Sequence, residues 1–229
     1  MKAAFLILSA INQNSVDAAS ALTQLQQHLL TLERQFEHSP NAVIEYSEKP
    51  LSAEQKQLLL QQSDLLAEFR PNELLSNLKN ERLAMGNPID PLTYQKLLKI
   101  IALNWFLQNA HGADLFKDID YVFIIESEAT LELDFINFLA KSDIIKNKLF
   151  FKKAITSQAQ NEKGRTLMHY PTNCWAYSAE LTNELIDNII EASENAYKLL
   201  EKPSEDNTHT DLGHELFKVV DLSKVHFVV

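Results

Sequence analysis

The stretch DYVFIIESEATLELDF, residues 120–135, decides the fold that we predict for this chain. Four consecutive apolar residues, 122–125, run directly into Glu126-Ser127-Glu128, and an amphipathic segment follows over 133–141. A short continuous apolar run before an amphipathic segment is typical of a buried strand followed by a helix. The sequence therefore predicts a strand over Tyr121–Ile125 whose carboxyl end carries two carboxylates.

The same alternation of strands and helices continues on both sides of this strand. Strands are predicted over 3–9, 42–46, 65–69, 148–155, 166–170 and 225–229, and helices over 16–37, 53–63, 91–109, 133–141, 178–200 and 211–218. The region 71–91 is less regular. This order predicts an α/β fold with a mostly parallel central sheet covered by helices on both faces. Ligands are then expected at the carboxyl ends of the strands.

Several helix starts have recognisable caps. Asn14-Ser15 is a plausible N-cap for the first helix, and Ser52 with Gln55 fits a capping box. Ser178-Ala179-Glu180 is expected to cap the helix that reaches Leu200. Asp90-Pro91 places a capping carboxylate before a proline that needs no hydrogen-bond acceptor. The length of 229 residues is that of one large α/β domain, 1–229, with a donor-side half over about 1–128 and an acceptor-side half over about 129–229.

Composition narrows the classes of function. The formal net charge of −10 argues against nucleic acid as the main partner, because phosphate binding depends on clustered Lys and Arg. Only four glycines occur, and neither G-x-G-x-x-G nor G-x-x-x-x-G-K-[ST] can be written from them. A glycine-rich dinucleotide or P-loop site is therefore excluded.

The single cysteine, Cys174, excludes an intrachain disulfide and favours a cytoplasmic protein. No segment approaches the roughly 18 consecutive apolar residues of a transmembrane helix. The apolar run at residues 3–8 is short and passes into Asn12-Gln13-Asn14, so we expect a first buried strand there.

Glu126 and Glu128 are the candidate site residues that the strand itself indicates. Two carboxylates one residue apart can project to the same side, and Mg²⁺ or Mn²⁺ prefers such oxygen ligands. The alternative is that both glutamates flank a turn in water, near the start of the next helix, where negative charge is favoured. On spacing alone, this second interpretation is favoured.

The arrangement resembles the GT-A class of nucleotide-sugar-dependent glycosyltransferases, in which an acidic Asp-x-Asp-type motif follows a sheet strand. YVFIIESEATLELDFINFL would be that strand, motif and helix. PTNCWAYSAELTNELIDNI resembles the later segment that lines the acceptor side, and SEDNTHTDLGHEL resembles the Glu-Asp element that supplies a general base. Glu-x-Glu replaces Asp-x-Asp here.

The resemblance implies a role for several residues. Glu126 and Glu128 would hold Mn²⁺ or Mg²⁺ against the diphosphate of a nucleotide-sugar donor, and a histidine such as His209 could complete that site. Asp206, or Glu205, would be the base that deprotonates a hydroxyl of the glycan acceptor. The implied substrate-binding residues are Lys79 and Arg82, which would contact the diphosphate, and Trp175 and Tyr177 on the acceptor side. Surface charge and core packing are the alternatives for these four.

Three other hypotheses remain at this point. The chain could be a non-catalytic GT-A-like protein that binds a carbohydrate or protein partner, which the Glu-x-Glu motif and the few glycines favour. It could also be a Mg²⁺-dependent phosphate-transferring or hydrolysing enzyme that uses the same two glutamates. Cys174 with His169 raises the possibility of a thiol nucleophile, although a core cysteine is the better interpretation.

Overall fold

A computed structural model describes residues 1–13, 17–160, 166–201 and 211–228. The strands are β1 (Ala3–Ser9), β2 (Asn41–Glu45), β3 (Leu65–Glu68), β4 (Tyr121–Glu126), β5 (Leu149–Phe151), β6 (Ile155–Gln160), β7 (Thr166–His169), β8 (Cys174–Ser178) and β9 (Val225–Phe227). The helices are α1 (Ala18–Gln35), α2 (Ala53–Leu60), α3 (Glu73–Ala84), α4 (Pro91–Gly112), α5 (Leu133–Lys141), α6 (Thr182–Glu201) and α7 (Leu212–Val219).

Seven of these strands form one sheet in the order β3-β2-β1-β4-β8-β5-β9. β3, β2, β1 and β4 are mutually parallel, whereas β8 runs antiparallel to both of its neighbours, β4 and β5. β5 and β9 pair in parallel, and β6 with β7 forms a separate antiparallel pair. The predicted mostly parallel sheet is confirmed, and its strands come from both predicted halves of the chain.

The sheet is buried on both faces because its central strands, β1 and β4, are apolar at every position except the last. Leu6 and Leu8 of β1 pack in one core cluster with Val122 and Ile124 of β4. Their odd-numbered neighbours in the same strands belong to a second cluster on the opposite face: Ala3, Phe5, Ile7, Tyr121, Phe123 and Ile125. Successive side chains of a strand point to opposite faces, so each strand contributes to both clusters.

Helices cover both faces, as predicted. The even-numbered face packs against apolar side chains of α3, α4, α6 and α7, and the odd-numbered face packs against those of α1, α2 and α5. Within α4, buried residues occur around most of the circumference, which fits its position between the sheet and α6. In the described ranges, no helix combines the length and apolar character required to cross a membrane.

Two of the predicted helix caps are confirmed. Ser52 and Gln55 form both bonds of a capping box, and the Asp90 side chain accepts from Thr93 N at the start of α4. Helix α1 is capped by Asp17, and the predicted cap, Asn14-Ser15, lies outside the described residues. Ser178 does not cap with its side chain; its hydroxyl donates to the carbonyl oxygen of Ile145 instead.

Helix α3 lies in the region that the sequence showed as less regular. Asn72 caps it by accepting from Leu75 N. Leu75 and Leu78 are buried, whereas Leu74 and Leu83 are exposed, at 57% and 64%. Half of its leucines therefore lie outside the apolar stripe, and this hides the helical periodicity in the sequence.

Gly213 provides a test of how α7 packs against the chain that follows β7. A methyl group at this position would lie 2.1 Å from the carbonyl oxygen of Tyr170, and Tyr170 N also donates to the Gly213 carbonyl. We expect Gly213→Ala to lower the free energy of unfolding by about 1–3 kcal/mol in urea denaturation, because the two backbones must separate.

Gly112→Ala is the matched control for that experiment. The last position of α4 has open space around the added methyl group, and Ala favours helix over Gly by up to about 1 kcal/mol. We therefore expect unchanged or slightly higher stability for this variant. Equal stability of the two variants would contradict the close approach at Gly213.

Candidate active site

The carboxyl edge of β4 carries the acidic pair that the sequence singled out. Glu126 is the last residue of β4 and has the same parity as Val122 and Ile124, so its side chain lies on the face covered by α4. There Lys99 Nζ of α4 donates to Glu126 Oε1 at 2.7 Å. The two side chains are only 11% and 25% exposed, so this ion pair is well shielded from water.

The loop that leads into β8 adds further contacts to Glu126. The Thr172 hydroxyl donates to the same carboxylate oxygen, Oε1, at 3.1 Å. The backbone N–H of Glu126 donates to the Asn173 carbonyl, and the Asn173 amide in turn donates to Glu132 Oε1 at 3.0 Å. Glu126 is therefore fixed on two sides, by α4 and by this loop.

Glu128 lies two residues further on and has an exposed side chain. Partial desolvation of its carboxyl group, and then repulsion from Glu126, raise its pKa, while the charge of Lys99 opposes the rise. The phenol of Tyr46, just past β2, is buried at the same edge. Its burial, and then the charges of Glu126 and Glu128, raise its pKa well above the ordinary value.

A divalent ion does not fit the described residues in their present arrangement. One oxygen of Glu126 already accepts from both Lys99 and Thr172. No group of three His, Cys, Asp or Glu side chains in the described ranges is arranged to hold a metal ion. The predicted third ligand, His209, and the predicted bases Glu205 and Asp206 lie outside the described residues.

Lys79 and Arg82, the predicted diphosphate contacts, lie on α3. Lys79 forms an ion pair with Glu48 and lies over the ring of Tyr94, with Nζ 4.9 Å from the centroid. Arg82 is buried and donates to the backbone carbonyls of Asn87 and Leu200. This burial corrects the expectation for Arg82, whose guanidinium joins the end of α6 to the loop after α3.

Trp175 and Tyr177, the predicted acceptor-side residues, are completely buried in β8. Trp175 stacks on Phe151 at 5.5 Å between ring centroids, and both side chains belong to the core cluster on the α4 face. A side chain with no accessible surface cannot stack on a sugar. The structure therefore gives both residues packing roles, in place of the expected substrate contacts.

A second group of titratable side chains surrounds the start of α7. The Asp211 side chain caps the helix at His214 N and contacts His214 Nδ1 at 2.8 Å. The imidazole of His214 stacks on that of His169, with centroids 4.5 Å apart. Burial alone would raise the pKa of Asp211, but the hydrogen bonds from His214, and the more distant charge of Lys96 on α4, lower it.

α7 is more buried than its sequence suggested. His214 and Glu215 are both buried, and Lys218 Nζ donates to Glu215 at 2.6 Å. Burial raises the pKa of Glu215, and the Lys218 contact opposes that rise. The first half of α7 therefore packs into the core.

Glu45 is a buried carboxylate that sequence reasoning missed. It ends β2 with no exposed surface and accepts from the backbone N–H groups of Ile11 and Ser47 and from the Ser47 hydroxyl. The backbone N–H of Asn12 donates to the same hydroxyl at 2.9 Å. Glu45 thereby fixes the loop after β1 to the loop after β2 at the carboxyl edge. Its one sequence signal is a Glu after a buried strand, the pattern also seen at Glu126.

Glu45 makes the stability of the protein depend on pH. Burial raises its pKa, against the opposing effect of its hydrogen bonds. The native state therefore binds a proton more readily than the unfolded state, and stability falls as pH rises from about 4.5 through the raised pKa. We expect the difference in unfolding free energy between wild type and Glu45→Gln to shift in favour of wild type as pH falls through this window. Urea denaturation at several pH values measures it, and a difference independent of pH would contradict it.

Cys174 is a core residue and not a nucleophile. It is 3% exposed, and burial, then the charge of Glu132, raises its pKa to about 12. At pH 8 the native thiol stays protonated and unreactive. We expect a disulfide reagent to modify it at least about a hundredfold more slowly in the native protein than in urea. Equal rates in both states would contradict this burial.

No protein-family model matches the sequence, and no curated protein matches it. Solved structures do share its fold. Core-mannan synthase A from Aspergillus fumigatus, in its Mn/GDP form, has a TM-score of 0.50 and 12% identity, over 99% of this chain and 72% of that chain. The mannosyltransferase Ktr4p from S. cerevisiae, in complex with GDP, has a TM-score of 0.53 and 13% identity, over 99% of this chain and 68% of that chain.

A third similar structure belongs to a different kind of enzyme. 4-Diphosphocytidyl-2C-methyl-D-erythritol synthase has a TM-score of 0.50 and 12% identity, over 93% of this chain and 92% of that chain. At such low identities the similarity concerns the fold alone. Together with the order and direction of the strands, it shows that this chain has the GT-A-like fold of nucleotide-diphospho-sugar transferases.

Proposed function

We propose that this protein transfers a sugar from a nucleotide-sugar donor to a hydroxyl group of a glycan or another acceptor. The observation that carries the proposal is the position of Glu126, Glu128 and Lys99. They lie together at the carboxyl end of β4. In open α/β sheets, ligands bind at this edge of the strands.

The similar structures support a nucleotide donor. Two of them are a core-mannan synthase and a mannosyltransferase, each solved with GDP. A nucleotide sugar carries a diphosphate, and the chain contains no glycine-rich loop to bind it. Lys99, which α4 presents to the carboxyl edge, is then the residue best placed to contact the diphosphate.

The protein groups have separate roles in the proposed reaction. Lys99 would donate hydrogen bonds to phosphate oxygens and stabilise the diphosphate as it leaves. The predicted base, Asp206 or Glu205, would remove the proton from the acceptor hydroxyl as its oxygen attacks the anomeric carbon. Glu45 would keep the loop after β1 in place at the same edge.

A divalent ion bound by Glu126, Glu128 and His209 stays a prediction. The Mn/GDP form of the Aspergillus fumigatus enzyme supports it. In this chain, however, such an ion would have to displace Lys99 from Glu126. The roles proposed for Lys99, for Asp206 or Glu205 and for Glu45 do not require a metal ion.

The alternative is a non-catalytic GT-A-like protein that binds a carbohydrate or a protein partner. The Lys99–Glu126 pair also favours this alternative, because it satisfies the acidic residue internally. The two hypotheses differ in whether a nucleotide binds.

Thermal unfolding with a panel of nucleoside diphosphates and nucleotide sugars tests the proposal, with Mn²⁺ and with EDTA. A ligand at about a hundred times its dissociation constant stabilises the native state by about 2.7 kcal/mol. For a chain of this length, this raises Tm by roughly 5–10 °C. We expect such a shift with at least one nucleotide in at least one of the two conditions.

Variants locate the bound nucleotide. Glu126→Gln should reduce the shift, because Lys99 then loses the carboxylate that holds its ammonium group at this edge. Glu33→Gln is the matched control, since this exposed glutamate lies near the far end of α1 and should leave the shift intact. No shift with any nucleotide in either condition would overturn the transferase proposal and favour the binding protein.

A further inference from the structure

We propose that Lys99 is the built-in cation of this site: its ammonium group takes the place of a divalent ion on Glu126, and the diphosphate of the donor binds without a metal. The part that concerns the diphosphate rests on the proposed function. The part that concerns the cation rests on the geometry of Lys99 and the two glutamates alone.

The position of Lys99 distinguishes it from the other paired lysines. It is 11% exposed, less than any other lysine for which the described part of the chain shows an ion pair. Glu128 follows Glu126 by two residues, and the charge of Lys99 also lowers the pKa of its carboxyl group. A cation bridging the Glu-x-Glu motif would occupy the same region.

A divalent ion and this ammonium group exclude each other on electrostatic grounds. Binding the ion to Glu126 would either bring two positive charges together or move Lys99 away. Moved away, Lys99 would be a poorly solvated charge without its carboxylate, and such a loss is strongly unfavourable. Thr172, which donates to the same oxygen as Lys99, further reduces the capacity of Glu126 to bind an ion.

The ammonium group of Lys99 can itself supply the positive charge that a divalent ion would bring to the diphosphate. It has three N–H donors, and the contact with Glu126 uses one of them. The others can donate to phosphate oxygens, which lysine binds as a point charge.

Mn²⁺ binding without nucleotide tests the proposal directly, by electron paramagnetic resonance of the free ion. We expect weak binding to the wild type and at least tenfold tighter binding to Lys99→Met, because Glu126 and Glu128 are then both available. Glu126→Gln in the Lys99→Met background should return the affinity to that of the wild type. Lys99→Arg keeps the positive charge and should bind as weakly as the wild type.

Lys117→Met controls for net charge, because this exposed lysine lies before the amino end of β4, at the opposite edge of the sheet. We expect it to leave the Mn²⁺ affinity unchanged. Circular dichroism establishes which variants are folded. If Lys99→Met does not fold, the Mn²⁺ affinity of Lys99→Arg still tests the proposal. Wild-type binding of Mn²⁺ as tight as that of Lys99→Met, or much tighter binding by Lys99→Arg, would overturn the proposal.

Nucleotide binding separates this proposal from the proposed function. If the wild type binds its nucleotide equally well with EDTA and with Mn²⁺, while Lys99→Met binds it with Mn²⁺ only, both proposals are supported. If EDTA abolishes nucleotide binding in the wild type, the proposed role of Lys99 is wrong, whereas the proposed transferase function is still supported. If no nucleotide binds under any condition, the proposed transferase function is wrong. The Mn²⁺ titrations alone then decide whether Lys99 takes the place of the ion.

Discussion

Burial of the central strands on both faces is the constraint on which this structure depends. Because helices cover each side of β1 and β4, every side chain before the last residue of each strand is apolar. Charge can enter only at the ends, where the chain leaves the sheet. Glu45 and Glu126 occupy such positions, each as the last residue of a parallel strand. The polar chemistry of the molecule is thereby concentrated at one edge.

The two carboxylates meet this constraint in different ways. Glu45 is satisfied by backbone N–H groups and a serine hydroxyl, and it joins two loops. Glu126 is satisfied by a lysine from the helix that covers its face. A shielded carboxylate without partners costs several kcal/mol, so loss of either set of partners would destabilise the surrounding fold. The proposed donor site is therefore part of the framework of the protein.

Much of the fold was predictable because it depends on local patterns. The apolar run before Glu126 identified β4, the amphipathic segment after it gave the bounds of α5, and Asp90-Pro91 gave the start of α4. Helix α3 was not predictable, since several of its apolar residues face water.

The site was predictable in part. The acidic pair follows from the sequence, and parity alone places Glu126 on one face of the sheet. Its partner Lys99 depends on which helix covers that face, and this is a tertiary property. The burial of Trp175 and Tyr177 has the same origin, because β8 inserts antiparallel between β4 and β5, a pairing that no local signal specifies.

The alternation along β4 also limits how the length of this chain can vary. Adding or removing one residue between Tyr121 and Ile125 would rotate Glu126 from the α4 side to the α5 side. Rings that pack against α5 would then turn toward α4, and the carboxylate would lose its lysine. A one-residue insertion or deletion within β4 would therefore disrupt both packed faces of the sheet, whereas surface loops tolerate such changes in length.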